Sequence, residues 1–285
     1  MVSKVILRRI YWRAQKIVFR FNLSLLSLSP ITFKGLRLST LTSTHELIDL
    51  LSKLRPVENG FELIRIGKDS DGGYLIPNDL EGIKTCFSAG CNKDWDFEKD
   101  LEERFEIFSH IVDSEDKKPH DFRIGHTYTP KWLGPAKTKK AITFEQWVKL
   151  CEPKEEKDFV LQMDIEGYEW LTLLGIEKEL LKKFRILVIE FHGTESLINK
   201  VQFNNVFKPT IEGLLQHFDP VHIHANNCCG TVKFGELQFP IVFEVTFHRK
   251  DRGLSYGGYR DLPHALDRTN VSANPEIAIK WSSNS

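Results

Sequence analysis

Apolar positions along the chain alternate between two periods from residue 45 onward. THELIDLLSKL (44–54) repeats every three to four residues and predicts a helix, with Thr44 as its N-cap and Pro56 ending it. FELIRIG and GGYLIP then read as two short strands, 61–67 and 72–77. Beyond residue 83 the alternation becomes regular. KTCFSAG predicts a buried strand, DFEKDLEERF a polar helix capped by Asp96, and EIFSHIVD a strand ending on an acid. A short strand follows near DFRIG, then a helix over TFEQWVKLC opened by Thr143. FVLQMDI reads as a strand, YEWLTLLGIEKELLKKF as one helix and FRILVIEFHG as another strand. A helix around FKPTIEGLLQHF precedes two final strands, VHIHAN and PIVFEVTFHRK.

Strands and helices alternating at this spacing predict an α/β domain with a mostly parallel sheet. The nearly unbroken apolar runs FRILVI and FVLQM suit strands covered on both faces. The last two strands lie close in sequence and predict an antiparallel hairpin at the sheet edge. Trp147 and Trp170 read as core. The expected divisions are a basic segment over 1–40, a helix and short strands over 41–82, the main domain over 83–252 and a tail over 253–285.

The net charge is formally zero, which gives no global argument for nucleic acid. It conceals an acid-free basic start: Lys4, Arg8, Arg9, Arg13, Lys16, Arg20, Lys34 and Arg37 precede the first carboxylate. Charges interrupt that segment too often for a transmembrane span or a secretory signal. Two readings stay open for residues 1–35: a helix lying on an anionic membrane surface, or else a helix packed on the main domain or a poorly ordered tail. Five cysteines without CxxC spacing indicate neither a disulfide framework nor a zinc ribbon. They point to a reducing, cytoplasmic setting, with peripheral membrane contact through residues 1–35 as an addition to it.

Candidate chemistry collects at the carboxyl ends of the strands, where open α/β sheets bind ligands. The strand over 84–90 delivers Ala89 and Gly90, and the next delivers Asp113 and Ser114. FVLQMDI ends on Asp164 and Glu166, the following strand on Glu190 and His192, and VHIHAN on His222, His224 and Asn226. An exit of small residues allows close backbone approach, and an acid ending the second strand can take both ribose hydroxyls. Neither G-x-G-x-x-G nor a P-loop is present, which disfavours a pyrophosphate clamp and favours a nucleoside cofactor without phosphates, such as S-adenosylmethionine.

KTCFSAGCNKDWDFE, HIVDSED, LQMDIEGYEWLTLLG, LVIEFHG, HIHANNC and FEVTFHRKD together resemble the FkbM-type branch of class I S-adenosylmethionine-dependent methyltransferases. The upstream RIGKDSDGGYLI resembles the sub-branch that includes animal methyltransferase-like proteins. The resemblance spans roughly residues 60–252, with D-I-E-G-Y-E its most specific block. It implies a Rossmann-like fold and methyl transfer to a hydroxyl of a glycan or small glycosylated molecule. Ala89, Gly90, Asp113, Ser114 and Asp164 would hold the cofactor. Asp71, Gly72, Gly73, Tyr74, Glu166 and Asn226 would line the acceptor side.

For the proton of the acceptor hydroxyl, His192 and His224 are candidate bases, oriented by Glu190 or Asp164. Alternatively, Asp164, Glu190 and one histidine could hold a divalent metal that polarises the hydroxyl. Simpler roles compete: Asp164 could cap the next helix, and Glu190 with His192 could be a buried pair stabilising the sheet. A divalent-metal hydrolase, a nucleotide-sugar transferase and a non-catalytic ligand-binding relative are the other functional readings.

Overall fold

The structure is a computed structural model that describes residues 40–91, 94–114, 118–151 and 157–279, with short strands at Leu23–Ser24, Thr32–Phe33 and Leu36–Leu38. Apart from these short strands, the segment over residues 1–35, for which a membrane-surface or packed helix is expected, lies outside the described residues. Among the described residues no helix is long and apolar enough to cross a membrane.

Helix α1 spans Thr44–Ser52. Its cap is Ser43 rather than Thr44, because Ser43 and Glu46 close a reciprocal capping box one residue earlier. Strands β1 (Leu63–Ile66) and β2 (Tyr74–Pro77) form an antiparallel hairpin. The main domain then runs β3 (Thr85–Ala89), α2 (Asp96–Phe105), β4 (Phe108–Asp113), β5 (Thr127–Pro130), α3 (Phe144–Cys151), β6 (Phe159–Met163), α4 (Glu169–Gly175), β7 (Phe184–Phe191), α5 (Lys208–Leu215), β8 (Phe218–Phe234) and β9 (Leu237–Arg249).

Seven strands make one sheet in the order β8-β9-β7-β6-β3-β4-β5. Counted in chain order within that sheet, the sequence of strands is 3-2-1-4-5-7-6. The inner pairs are parallel, while β9 runs antiparallel to both β7 and β8. This is the Rossmann-like arrangement of class I methyltransferases, with the expected antiparallel hairpin at one edge. The order reverses at β3, so the ligand crevice lies at the exits of β3, β4 and β6.

Side chains alternate between faces along each strand. Leu161, Met163, Leu187, Ile189 and Phe191 pack with α1, α3, α4 and α5 on one face. Cys86, Val160, Ile186 and Val188 pack with α2 and the β1–β2 hairpin on the other. Trp147 and Trp170 are both core residues, as their patterns predict.

Four local expectations are corrected. The strand expected near DFRIG lies at β5 instead, because Phe122 packs on Trp95 and the Trp95 indole donates to Asp121, folding 121–125 locally. Asp96 does not cap α2; Trp95 occupies the cap position and Asp96 pairs with Lys99 one turn on. The helix expected over 168–184 breaks after Gly175, where Ile176 turns extended to bury its side chain. The link between the last two strands is itself strand, so β8 and β9 form one long hairpin closed at Phe234 and Leu237.

Candidate functional site

Successive rows of one sheet face lead up to the site. Cys86 on β3 pairs with Val160 on β6, and Ser88 with Gln162 one pleat further. On the same face, Glu190 of β7 pairs with Glu244 of β9, which pairs in turn with His224 of β8. Apolar rows thus give way to polar ones as the strands reach their exits. The β1–β2 hairpin covers this face and brings Tyr74 over Glu190, its hydroxyl donating to Oε2 at 3.3 Å.

Gly90 brings the first two exits together. It has a φ of +86°, and a Cβ there would lie 1.7 Å from the carbonyl oxygen of Asp164. Any side chain would force the end of β3 away from the end of β6. The Asp164 N–H also donates to the Ala89 carbonyl at 2.9 Å, so the two exits are tied through backbone. Asp113 ends β4 directly beside them, where Ala89 pairs with Val112, and it is buried. Ser114, half-buried, follows it. A buried carboxylate next to a backbone-only turn fits the ribose and amino-acid portions of a nucleoside cofactor.

The acid of D-I-E-G-Y-E that organises the seam is Glu169. Fully buried at the start of α4, it accepts the N–H groups of Ile165 at 2.9 Å and Gly167 at 3.1 Å. Its Oε1 also meets His192 Nδ1 at 3.1 Å. Asp164 caps nothing: the cap position of α4 is Tyr168, without a side-chain bond. Glu166 sits exposed on the intervening turn with a φ of 57°.

The far edge of the His192 ring faces two carboxylates. Nε2 lies 3.7 Å from Asp164 Oδ1 and 3.6 Å from Glu190 Oε1. Asn226 donates to Glu190 Oε1 at 2.9 Å and to Asp71 Oδ1 at 3.2 Å. His224 Nδ1 stands 3.5 Å from Glu244 Oε2, and Asn270 donates to both Glu244 Oε1 and Asp71 Oδ1. Gly73 lets the hairpin loop close, since a Cβ there would meet the Lys68 carbonyl at 1.9 Å. Gly72, half-buried, precedes it on the same turn.

Electrostatics divide these groups into two kinds. Burial, reinforced by the charges of Glu169, Glu166 and Asp71, pushes Asp164 up to about 7 against the pull of His192. Its side chain is 31% exposed, so water moderates that push. Burial, Asp164 and Glu244 together raise Glu190. Burial alone would depress His192, but its bond to Glu169 and the charges of Asp164 and Glu190 hold it at about 10. Metal-free, His192 therefore carries its proton at neutral pH, and it is a charged partner of the carboxylates rather than the expected base. His224 is likewise raised, with burial opposed by Glu244.

The catalytic and acceptor-side candidates Asp164, Glu190, His192, His224, Asn226, Asp71 and Tyr74 thus share one network. Ala89, Gly90, Asp113 and Ser114 line the adjoining exits. Glu169, Glu244 and Asn270 carried no sequence assignment. Glu244 had a visible signal, a lone acid inside PIVFEVTF; Asn270 had none, since only the fold brings it here. Two groups have the spacing to hold a cation: Asp164 with Glu190 and His192, and Asp71 with Glu190 and Glu244. A cavity of about 580 Å³ lies between the β8–β9 hairpin and the C-terminal segment, lined among others by Asn227, Cys228, Gln238, Asn274, Glu276 and Ile277, and no residue of the network lines it.

Residues 88–222 match the profile of the methyltransferase FkbM domain. No curated protein matches the chain. Matching solved structures include M. capricolum TrmK in complex with S-adenosyl-homocysteine, at 9% identity and a TM-score of 0.31, covering 66% of this chain and 70% of that one. A human methyltransferase 10 domain containing protein matches at 7% identity and a TM-score of 0.29, covering 61% and 75%. At such scores the strand order, not the superposition, carries the fold assignment. Over residues 88–222, just under half of its length, the chain is similar to an FkbM-type methyltransferase domain.

Proposed function

We propose that the chain transfers a methyl group from S-adenosylmethionine to a hydroxyl of a glycan or small glycosylated molecule. The observation that supports this most is the contact between Gly90 and Asp164, which sets a cofactor-type crevice against a dense carboxylate and imidazole cluster. Asp113 would hold the ribose, with Ser114 beside it, while Ala89 and Gly90 would border the amino-acid portion. The cofactor supplies an activated methyl group. What the chain's own residues must add is alignment of the acceptor oxygen and a place for its proton.

Asp164 is the group suited to meet the acceptor, because it keeps 31% of its side chain open while Glu190 and His192 keep 6 and 10%. Glu190, held by Tyr74 and Asn226, and His192, held by Glu169, position Asp164 from behind. The acceptor body would approach through the cavity beside Asn227, whose mixed lining of amides, a hydroxyl, a carboxylate and the apolar Pro275, Ile277 and Ala278 suits the polar edges and apolar faces of a sugar. Asp71, Gly72, Gly73 and Glu166 would stand on the acceptor side.

Calorimetry with S-adenosylmethionine tests the cofactor assignment. Binding should weaken at least tenfold in Asp113→Ala; absent binding, with the variant indistinguishable from wild type, rejects it. Mass spectrometry of saccharide acceptors incubated with labelled cofactor should then locate an O-methyl ether. Asp164→Asn should lower turnover by roughly 10²-fold or more. Methyl groups found on nitrogen, or full turnover in Asp164→Asn, would refute the hydroxyl-transfer reading.

A further inference from the structure

We propose that Asp164, Glu190 and His192 form a binding site for one first-row divalent cation. Their ligand atoms all lie within 4.8 Å of one another at the exits of two adjacent parallel strands. His192 Nε2 has no hydrogen-bond partner among the described residues, although its side chain is nine-tenths buried. Its separations from the two carboxylates, 3.7 and 3.6 Å, exceed hydrogen-bond reach. An imidazole nitrogen set between two carboxylates, beyond hydrogen-bond reach of both, calls for an explanation.

The spacing itself supplies one. Bonds of about 2.0–2.2 Å to a shared cation place neighbouring ligand atoms roughly 3–3.5 Å apart. The two separations from His192 would need to contract by only a few tenths of an ångström.

Their supports are those of a metal centre. Ligating histidines characteristically give their other ring N–H to a carboxylate, which fixes the tautomer and aims the free nitrogen. Glu169 does this at His192 Nδ1, at 3.1 Å. The same carboxylate binds the N–H groups of Ile165 and Gly167, so it also fixes the turn that follows Asp164. Glu190 is oriented independently, by Tyr74 and Asn226. Two carboxylates with one imidazole suit Mn²⁺, Fe²⁺ or Zn²⁺ better than Mg²⁺ or Ca²⁺. The open side of Asp164 leaves coordination positions for an oxygen ligand. The alternative group of Asp71, Glu190 and Glu244 offers only carboxylates, each already engaged by Asn226 or Asn270. A cation at Asp164 would polarise an acceptor hydroxyl; that role rests on the methyl-transfer reading, whereas the site itself does not.

The test uses the full chain stripped of metal and titrated with Mn²⁺, with free ion followed by electron paramagnetic resonance. One Mn²⁺ per chain should bind, its pulsed spectrum should show nitrogen hyperfine coupling, and Asp164→Asn should weaken affinity at least tenfold. Glu169→Gln should weaken it by roughly 10–100-fold through misorientation of His192. No binding at millimolar Mn²⁺, or affinity unchanged in Asp164→Asn, overturns the proposal. So does binding without nitrogen coupling, which would assign the ion to Asp71, Glu190 and Glu244. S-adenosylmethionine binding, measured on the same samples, separates failure of this site from failure of the methyltransferase reading.

Discussion

Glu98 faces the buried side of α2, where its Oε1 accepts the Ser88 hydroxyl and its Oε2 has no hydrogen-bond partner. Burial pushes it up to about 7, against the opposing bond from Ser88. The folded protein therefore holds this proton more tightly than the unfolded chain, whose glutamate titrates near 4.5. The resulting stability is complete below pH 4.5 and is lost as pH rises through about 7. The span corresponds to roughly 3 kcal/mol at about 1.4 kcal/mol per pH unit. Glu98→Gln should match wild type near pH 4.5 and exceed it by up to that amount at pH 8 in urea titrations. Parallel stability curves for the two proteins across this range would refute the assignment. Single residues were legible to different degrees for related reasons. Asp164 and Glu190 stand out in sequence because a charge terminates an apolar run. Glu98 lies among six other acids and bases of one helix, DFEKDLEERF, and only the three-dimensional packing separates it from them. His192 was legible as a site residue but not in its protonation, which depends on Glu169, 23 positions away.

Elements were more legible than their ends. Period-two and helical patterns located nearly every strand of the main sheet, because burial on both faces demands continuous apolar runs. Boundaries failed where a tertiary contact decided them: Trp95 with Phe122 displaced a strand, and Ile176 interrupted a helix. The exits escaped this uncertainty, since strands that enter a crevice must change from apolar to polar there. Gly90 illustrates the constraint between elements. Its hydrogen atom occupies the place where a Cβ would stand 1.7 Å from the Asp164 carbonyl, with a φ of +86° that disfavours any side chain. Gly90→Ala should thus separate the exits of β3 and β6 while leaving the strand interiors paired. The expected loss is about 2–4 kcal/mol, the range of backbone strain added to steric clash. Thermal unfolding should register it, and S-adenosylmethionine affinity should fall more than tenfold even at temperatures where the variant is folded. A variant with wild-type affinity would show that this contact does not shape the cofactor crevice.

At the scale of the molecule, the segment beyond residue 252 alters the picture of a domain with a loose tail. Its described residues contain no helix or strand after Arg252, yet it is bound across the β7–β9 side of the site. Asn227 donates to the carbonyls of Val271 and Asn274 and accepts the Val271 N–H, while the Asn274 amide returns a bond to the Asn227 carbonyl. Asp267 pairs with His222 at 2.9 Å, and Asn270 joins Asp71 to Glu244. Nothing in the polar, aperiodic sequence of this segment announces such an arrangement, because its partners come from three distant parts of the chain. Each bond contributes on the order of 1 kcal/mol, and the buried side chains they satisfy would be left unpaired without them. These contacts lie away from Gly90 and Asp113. Ending the chain after Leu262 should therefore lower the melting temperature and abolish acceptor methylation, while S-adenosylmethionine affinity changes only a few-fold. Asn270→Ala, which keeps the segment, should raise the acceptor KM more than it lowers kcat, since it removes the amide that joins Asp71 to Glu244, leaving Asp71 held by Asn226 alone, without touching His192 or Asp164. Equal loss of cofactor and acceptor binding in both variants would mean the segment supports the fold as a whole rather than the acceptor side of the site.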